Sequence, residues 1–509
     1  MRTIFLSALI VAAVSSVPLL AQEKSGVRGP NIVFILADDM GIGDVSHTTG
    51  RAATPNIDRL AKEGMRFTDA HSSSAVCTPT RYSVLTGRYN WRTRLKKSVF
   101  FDPHDRPLIE PGETTVASYL KSNGYRTACV GKWHLGIGWQ FLEDFKADPK
   151  KKKQQGWDID YSKPAVTPTS HGFDYFFGIQ ASLDMAPYVY IENDRATKPG
   201  TVTKAFFRPG AAAEDFEAED CLKDFAEKAV DFIDLNMAIV DSARPAPFFL
   251  YLPLTSPHTP IVPSERWQGK SPIGEYGDFL METDWVVGEI LQRLDHYKIA
   301  DDTLVIFTTD NGCSPAAKIP DLVKNGHMPN GELRGHKADI YEGGHRVPFL
   351  VRWPGKVKPG TVTPRLTCQT DFIATCADIL GEPLAPAAGV DSVSFLPTLL
   401  QAGVVERDAI VHHSIGGAFS TPEGKRKLCL FKRSSGWSNP RPGKAPADAP
   451  PVQLFDMEAD PAEQNNLALE KPGVVKRLTD LMQKYVDDGR STPGPPQQNA
   501  GKTDIGPRD

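Results

Sequence analysis

From Asn31 onward the chain alternates short, continuous apolar runs with stretches whose apolar positions recur every three to four residues. The run NIVFILA at 31–37 offers no polar position to water, so it reads as a strand buried on both faces. TPNIDRLAKEG (54–64) reads as a helix with Thr54 as N-cap, Pro55 at its first position and Gly64 as its stop. A second capped helix, TTVASYLKSNG (114–124), leads into the strand YRTACVG (125–131). FFLYLPL (248–254), a helical segment at 275–297, TLVIFTT (303–309) and VPFLVRW (347–353) continue the pattern. Such alternation predicts an α/β fold, a mostly parallel sheet covered by helices on both faces. After a helix near 371–380 come proline-rich loops, the short strands KLCLF and VQLFDM, and a late helix at 472–487. These predict a smaller C-terminal α+β subdomain with a short antiparallel sheet. The expected organisation is a catalytic domain over 28–385, the subdomain over 386–490 and a polar, loosely packed tail over 491–509. No internal repeat is found.

Residues 1–21 are of a different kind. Arg2 precedes an uncharged stretch from Ile4 to Leu20 that ends in Leu-Leu-Ala, the layout of a secretory signal peptide cleaved after Ala21. The alternative is an uncleaved anchor, against which Pro18 and the short, Ser-interrupted apolar run both argue. The mature chain is expected to be exported, periplasmic or secreted, with no membrane span. With 40% hydrophobic and 24% charged residues, the 509-residue chain is globular in composition. Its net charge of −4 supplies no broad cationic face, so no nucleic-acid partner is expected. The 42 glycines and 42 prolines point to many loops, and Lys150–Lys153 reads as a solvated one. Seven cysteines are too few for a disulfide scaffold, and no pairing is inferred.

In doubly wound sheets, ligands sit beyond the carboxyl ends of the strands. The four candidate strand ends deliver Asp38 and Asp39, then Lys132 and His134, then His258, then Asp310 and Asn311. An Asp-Asp pair alone is ordinary turn chemistry, and a lone histidine is ordinarily a surface or core group. Four polar strand ends together are not explained that way. Three carboxylates and a carboxamide are hard oxygen ligands that suit Ca²⁺ or Mg²⁺ rather than Zn²⁺. A second cluster, SSSAVCTPTRYSVLTGR, holds Cys77, Pro79 and Arg81. Pro79 fits the first turn of a helix running to Thr86, which puts Cys77 at a helix N-terminus, where an oxyanion is favoured. The plain alternative is a buried structural cysteine.

The segment AVCTPTRYSVLTG (75–87) resembles the sulfatase signature in which the cysteine is oxidised to Cα-formylglycine. GYRTACVGKWH (124–134) is similar to the second signature of the same family, and NIVFILADD, TDNG, GHKADIYEGGHRVP and LFDMEADPAEQNNL follow in the family's order. The resemblance spans residues 28–490, and Thr80, where serine is commoner, keeps a hydroxyl. It implies an alkaline-phosphatase-like fold and a sulfuric ester hydrolase made active by a formylglycine-generating or anaerobic sulfatase-maturing enzyme. It further implies a metal, Ca²⁺ with Mg²⁺ as the alternative, held by Asp38, Asp39, Asp310, Asn311 and the modified Cys77. In that scheme the formylglycine hydrate attacks sulfur with Asp310 taking its proton, His258 protonates the leaving oxygen, and His134 assists collapse to aldehyde and sulfate. Arg81 and Lys132 hold the diol, and Lys337 contacts the sulfate.

The substrate implied is a sulfated carbohydrate, with 6-O-sulfated galactose or N-acetylgalactosamine favoured by similarity to exported bacterial N-acetylgalactosamine-6-sulfatases. Exo action is expected, and Asp184, Arg334 and His336 are the candidate sugar-binding residues. The competing readings are another sulfate position or sugar, a phosphomonoester or phosphonate hydrolase of the same superfamily, and a non-catalytic glycan binder. The last should have lost the cysteine or the bases, and neither is lost here.

Overall fold

The computed structural model describes residues 29–146, 155–238, 246–439 and 449–506. The signal segment 1–21 and the lysine run 150–153 lie outside the described residues. A ten-stranded sheet forms the centre, with Asn31–Ala37 in its middle and all seven of that strand's residues buried. Thr303–Thr309 and Phe248–Pro253 flank it in parallel, and Arg126–Lys132 and Tyr175–Ile179 extend the parallel part. On the other side Phe349–Arg352 and Met65–Phe67 run antiparallel to their inner neighbours, and Thr361–Thr363 closes that edge. The short strands Ile191–Glu192 and Arg195–Ala196 end the opposite edge. Double-sided burial is why these strands read as unbroken apolar runs and not as alternating ones.

Helices cover the sheet in two groups. Pro55–Glu63, Cys221–Ala238 and Glu275–His296 pack on one another, as do Cys77–Thr86, Val116–Ser122 and Phe372–Leu380. Phe34 of the central strand meets Phe372 of the second group with ring centroids 4.6 Å apart. The helix expected over 114–124 is capped, by a capping box of Thr115 with Ser118. The predicted Thr54 cap is absent: its hydroxyl goes to Ser46 and Asp58, and the first-turn amides of Asn56 and Ile57 donate instead to Asp284 Oδ1 at 3.0 and 2.8 Å.

The C-terminal part is a four-stranded antiparallel sheet, His412–His413, Phe419–Glu423, Arg426–Cys429 and Gln453–Asp456, with the helix Pro472–Asp487 packed on it. It has its own apolar cluster around Leu428, Leu454, Leu478 and Met482. The tail is not loosely packed over its described residues. Asn499 accepts from Arg92 Nη1 at 3.0 Å, the Ala500 N–H reaches the Arg92 carbonyl at 2.6 Å, and Ile505 is buried in the C-terminal cluster. All seven cysteines are buried free thiols.

The register of the parallel strands positions the chemistry. Ala37 pairs with Thr309 across the central ladder, so Asp38 and Asp39 emerge beside Asp310 and Asn311 at one edge of the sheet. Lys132 ends the strand two places away.

Candidate active site

Four of the predicted groups meet closely at the carboxyl ends of the strands. One ligand atom from each of Asp38, Asp39, Cys77 and His258 lies within 4.8 Å of those of the others, and all four residues are buried. Asp39 takes a left-handed backbone with φ 67°, which lets two consecutive carboxylates turn into the same space. Its amide donates to Asp310 Oδ1 at 3.2 Å, and Asn311 Nδ2 donates to Asp39 Oδ1 at 2.7 Å. Three cations close the cluster. Lys132 Nζ lies 2.5 Å from Asp38 Oδ2, Lys337 Nζ 2.8 Å from Asp39 Oδ2, and Arg81 Nη2 2.9 Å from Asp310 Oδ2. Arg81 also donates to the Lys132 carbonyl at 3.1 Å.

Cys77 is the first residue of the helix Cys77–Thr86, as the position of Pro79 predicts. No side chain caps this helix, so its first-turn N–H groups stay available to an oxyanion. The Thr80 hydroxyl donates to the Ser74 carbonyl at 3.1 Å and fixes the approach to Cys77. Cys77 lies in the lining of a cavity of about 560 Å³ that His258, Lys337, His336 and Asp184 also line. His134 is buried, with Nε2 2.9 Å from the Phe100 carbonyl and Nδ1 without a partner.

Arg334 is not in that lining. Its guanidinium lies over the Tyr341 ring at 3.9 Å and donates to the Glu463 carbonyl at 2.6 Å, so it packs the C-terminal part against the catalytic part. His336 does reach the cavity, held by the Lys337 carbonyl at 3.0 Å and Ser438 Oγ at 3.1 Å. The lining also includes Phe101, Phe207, Arg208 and Trp437, none of which the sequence pattern singles out. Arg208 pairs with Asp184 Oδ2 and lies over Phe101 and Phe207, 5.7 and 5.3 Å from the ring centroids. A further unforeseen group is Asp44. It accepts from the Gly41 amide at 2.6 Å and Tyr276 at 2.7 Å and contacts His327 at 2.8 Å, pinning the loop after Asp39.

The family model for sulfatases matches residues 30–382. The chain belongs to the sulfatase family. It is 34% identical to an N-acetylgalactosamine-6-O-sulfatase of Bacteroides thetaiotaomicron, over 91% of this chain and 94% of that protein. To human arylsulfatase A it is 32% identical, over 95% and 93% of the two chains. A solved Bacteroides thetaiotaomicron structure connected with glycosaminoglycan metabolism superposes with a TM-score of 0.75 at 32% identity, covering 90% of this chain and 99% of that one. A phosphonate monoester hydrolase of Agrobacterium radiobacter has a TM-score of 0.55 at 18% identity, which shows a shared fold alone.

As a sulfatase, the protein is a sulfuric ester hydrolase, and its buried acidic cluster fits a metal site. Burial works against ionisation of Asp38, but Lys132, His258, Arg81 and Lys337 outweigh it and hold the carboxyl well below the usual range. Burial and the Asp38 charge push the Asp310 carboxyl up to about 7 in spite of Arg81. Carboxylates that repel in this way are relieved by a dication. Asp38 Oδ1 and Asn311 Oδ1 are buried without a hydrogen-bond partner, the condition of oxygen atoms left for an ion. Burial pushes the Cys77 thiol up to about 12 although Lys132 and Lys337 oppose it, so an unaltered thiol here is no nucleophile at neutral pH. Burial and Lys337 lower His258 against the pull of Asp39, while burial and Lys132 take His134 well below its ordinary value. Both imidazoles are therefore neutral and ready to accept a proton.

Proposed function

We propose that this sulfatase removes 6-O-sulfate esters from galacto-configured sugars, galactose or N-acetylgalactosamine, and that Cys77 acts in its formylglycine form. The observation that carries the reading is the placement of Cys77 in one cavity with His258, Lys337 and the Asp184–Arg208 pair. The names of two relatives, N-acetylgalactosamine-6-O-sulfatase and N-acetylgalactosamine-6-sulfatase, support the sugar and position.

Asp38, Asp39, Asp310 and Asn311 would hold a divalent cation, together with the oxidised residue 77; their all-oxygen donors suit Ca²⁺ or Mg²⁺, and Ca²⁺ is the ion put forward. That cation and the aldehyde supply, when present, a Lewis acid and a hydrated nucleophile for attack on sulfur. The chain's own groups do the rest. Lys337 is aimed from the cavity wall, where a sulfate oxygen needs a countercharge. Burial works against the charge on Lys337 and Asp39 outweighs it, so the amine stays an ammonium. His258 Nδ1 lies 2.6 Å from the Thr259 carbonyl, which places its one N–H there and turns Nε2 to the site, 3.7 Å from Asp39 Oδ2. Beside a bound sulfate anion Nε2 would take up a proton and then give it to the leaving oxygen. His134 Nδ1, partnerless behind the cluster, can take a proton from the hydrate. Arg81 and Lys132 are wholly buried and orient the Asp310 and Asp38 carboxyl groups.

Export fits the low polarity of residues 4–20, and no helix among the described residues is long and apolar enough to cross a membrane. The deciding experiment is turnover on monosulfated galactose, N-acetylgalactosamine, glucosamine and fucose. The 6-O-sulfated galacto sugars should be desulfated first. A preference for 2-, 3- or 4-O-sulfate, or for the gluco epimer, would overturn the assignment.

A further inference from the structure

Three imidazoles are stacked in the interior, and none of them lines the cavity. His71 lies on the short strand Ala70–His71, His345 ends the short helix Glu342–His345, and His412 starts the edge strand His412–His413. All three are buried, with ring centroids 3.8 Å apart between His345 and His412 and 4.7 Å between His71 and His412.

Each ring has one nitrogen committed to an acceptor. His71 Nε2 lies 2.8 Å from Asp69 Oδ1, His345 Nε2 3.0 Å from the Ile340 carbonyl, and His412 Nδ1 2.8 Å from the Ser72 carbonyl. A neutral imidazole has one N–H, and these acceptors assign it in His71 and His412; at His345 the Lys427 ammonium, a donor only, also lies 3.1 Å from Nε2 and competes for that lone pair. Lone pairs then remain on His71 Nδ1, His345 Nδ1 and His412 Nε2. The first two face each other at 3.1 Å, and the third is buried with no partner. One ring nitrogen from each residue lies within 4.8 Å of those of the other two.

Facing lone pairs require a proton or a metal ion between them. A proton on His345 Nδ1 would settle that pair, since Lys427 Nζ at 3.1 Å donates to the freed Nε2, but it does nothing for the buried, partnerless His412 Nε2. A metal ion answers all three nitrogens. The outer contacts, a carboxylate and two backbone carbonyls, are those that orient metal-bound histidines. Nearby, Arg346 pairs with Asp69 and Glu342, and Lys427 with Glu342 and Glu463, so the neighbouring charges are paired among themselves and do not answer the imidazole nitrogens.

We propose that His71, His345 and His412 form a second metal site, which takes one divalent transition ion, zinc in the first place, through three imidazole nitrogens. Nitrogen-only donors select such an ion over Ca²⁺, so the site is independent of the oxygen-rich cluster at Asp38. Its place gives it a structural task. The Ser72 amide donates to the His345 carbonyl at 2.9 Å and the Ala75 amide to the His413 carbonyl at 3.0 Å. An ion there ties the edge of the C-terminal sheet to the segment that delivers Cys77.

The test uses the full-length enzyme, produced with zinc, washed with a Ca²⁺-selective chelator and returned to excess Ca²⁺. Elemental analysis should find one zinc per chain, and its X-ray absorption should show imidazole scattering without sulfur. His412→Gln should lower bound zinc at least tenfold, and Asp69→Asn should weaken zinc binding about 10–100-fold. Absence of zinc from wild-type protein even after zinc is added back would overturn the proposal. So would a sulfur-containing shell, which would put the ion at Cys77, or full zinc retention by His412→Gln. If His412→Gln fails to fold, the imidazole count in the wild-type spectrum decides alone.

Discussion

Lys132 Nζ and Asp38 Oδ2 stand 2.5 Å apart at the ends of two strands separated by one neighbour, and neither side chain has any exposure. The pair is a charge balance built into the sheet before any substrate arrives. Removing one partner leaves the other charged and dry, which costs about 3–5 kcal/mol. Lys132→Met should therefore lower stability by that amount and abolish turnover. The loss in stability should be larger in chelated protein than with Ca²⁺ in excess, because a bound cation gives Asp38 a second partner. Urea denaturation with and without Ca²⁺ measures both. Equal losses in the two conditions would place the metal away from Asp38.

The second prediction concerns Cys77. Mass analysis of the 72–88 region should show sulfur replaced by oxygen in active enzyme. Protein that escaped conversion should be inactive and should resist alkylation at pH 8 while folded, since burial pushes that thiol up to about 12. Cys77→Ala should fold and show no turnover. Full activity from an unmodified thiol would refute the formylglycine assignment.

Much of this site was legible because it is carried by strand ends. An apolar run marks a buried strand, and the residues just beyond it are where a parallel sheet collects ligands. Asp38, Asp39, Lys132, His258, Asp310 and Asn311 needed no further information. Arg208, Phe101 and Trp437 were not legible, because each reaches the cavity from a loop whose path depends on distant packing. Arg334 shows the same limit from the other side. Proximity to Lys337 in sequence says nothing about the direction of its side chain, which Tyr341 and Glu463 determine. The tail was misread for a similar reason. Its polar, Pro/Gly-rich composition does not reveal that Arg92, some four hundred residues earlier, awaits Asn499.

Metal removal gives the third prediction. Exhaustive chelation should abolish turnover, and Ca²⁺ should restore it. Asp39→Asn and Asp310→Asn should each lower bound Ca²⁺ and reduce turnover by orders of magnitude. Chelated enzyme with full activity would contradict the ligand set.

A fourth prediction follows from Arg92 and Asp391, both buried, with Arg92 Nη2 2.7 Å from Asp391 Oδ1. Burial raises the Asp391 carboxyl, but Arg92 and the Tyr89 amide more than offset this and hold it below the usual range. A lowered carboxyl contributes stability that is present above its unfolded value, about 3.9, and is lost as pH falls through the folded one. Asp391→Asn should cost about 3–5 kcal/mol at pH 7, and its deficit should shrink below pH 4. Urea midpoints between pH 3 and 7 test this. A deficit unchanged across that range would show that the carboxylate charge is not what matters.

The last prediction concerns sugar recognition. Asp184 presents one carboxylate oxygen to Arg208, while Oδ1 is buried without a partner in the wall of the cavity that holds Cys77. An unanswered carboxylate oxygen at such a place is built to accept from a ring hydroxyl. A hydrogen bond to a charged group is worth about 1.5–3 kcal/mol. Asp184→Asn should thus lower kcat/KM on the preferred 6-O-sulfated sugar by about 10–150-fold, mostly through KM, with little change on a small aryl sulfate. Arg208 acts through Asp184, so Arg208→Lys should give a smaller loss of the same kind, because the ammonium keeps the charge but not the planar contact with Phe101 and Phe207. Discrimination between galacto and gluco epimers should collapse in Asp184→Asn, since the amide must turn its oxygen to Arg208 and then presents a donor where the carboxylate accepted. Equal losses on the sugar and the aryl sulfate would instead assign Asp184 to the architecture of the cavity and remove it from recognition.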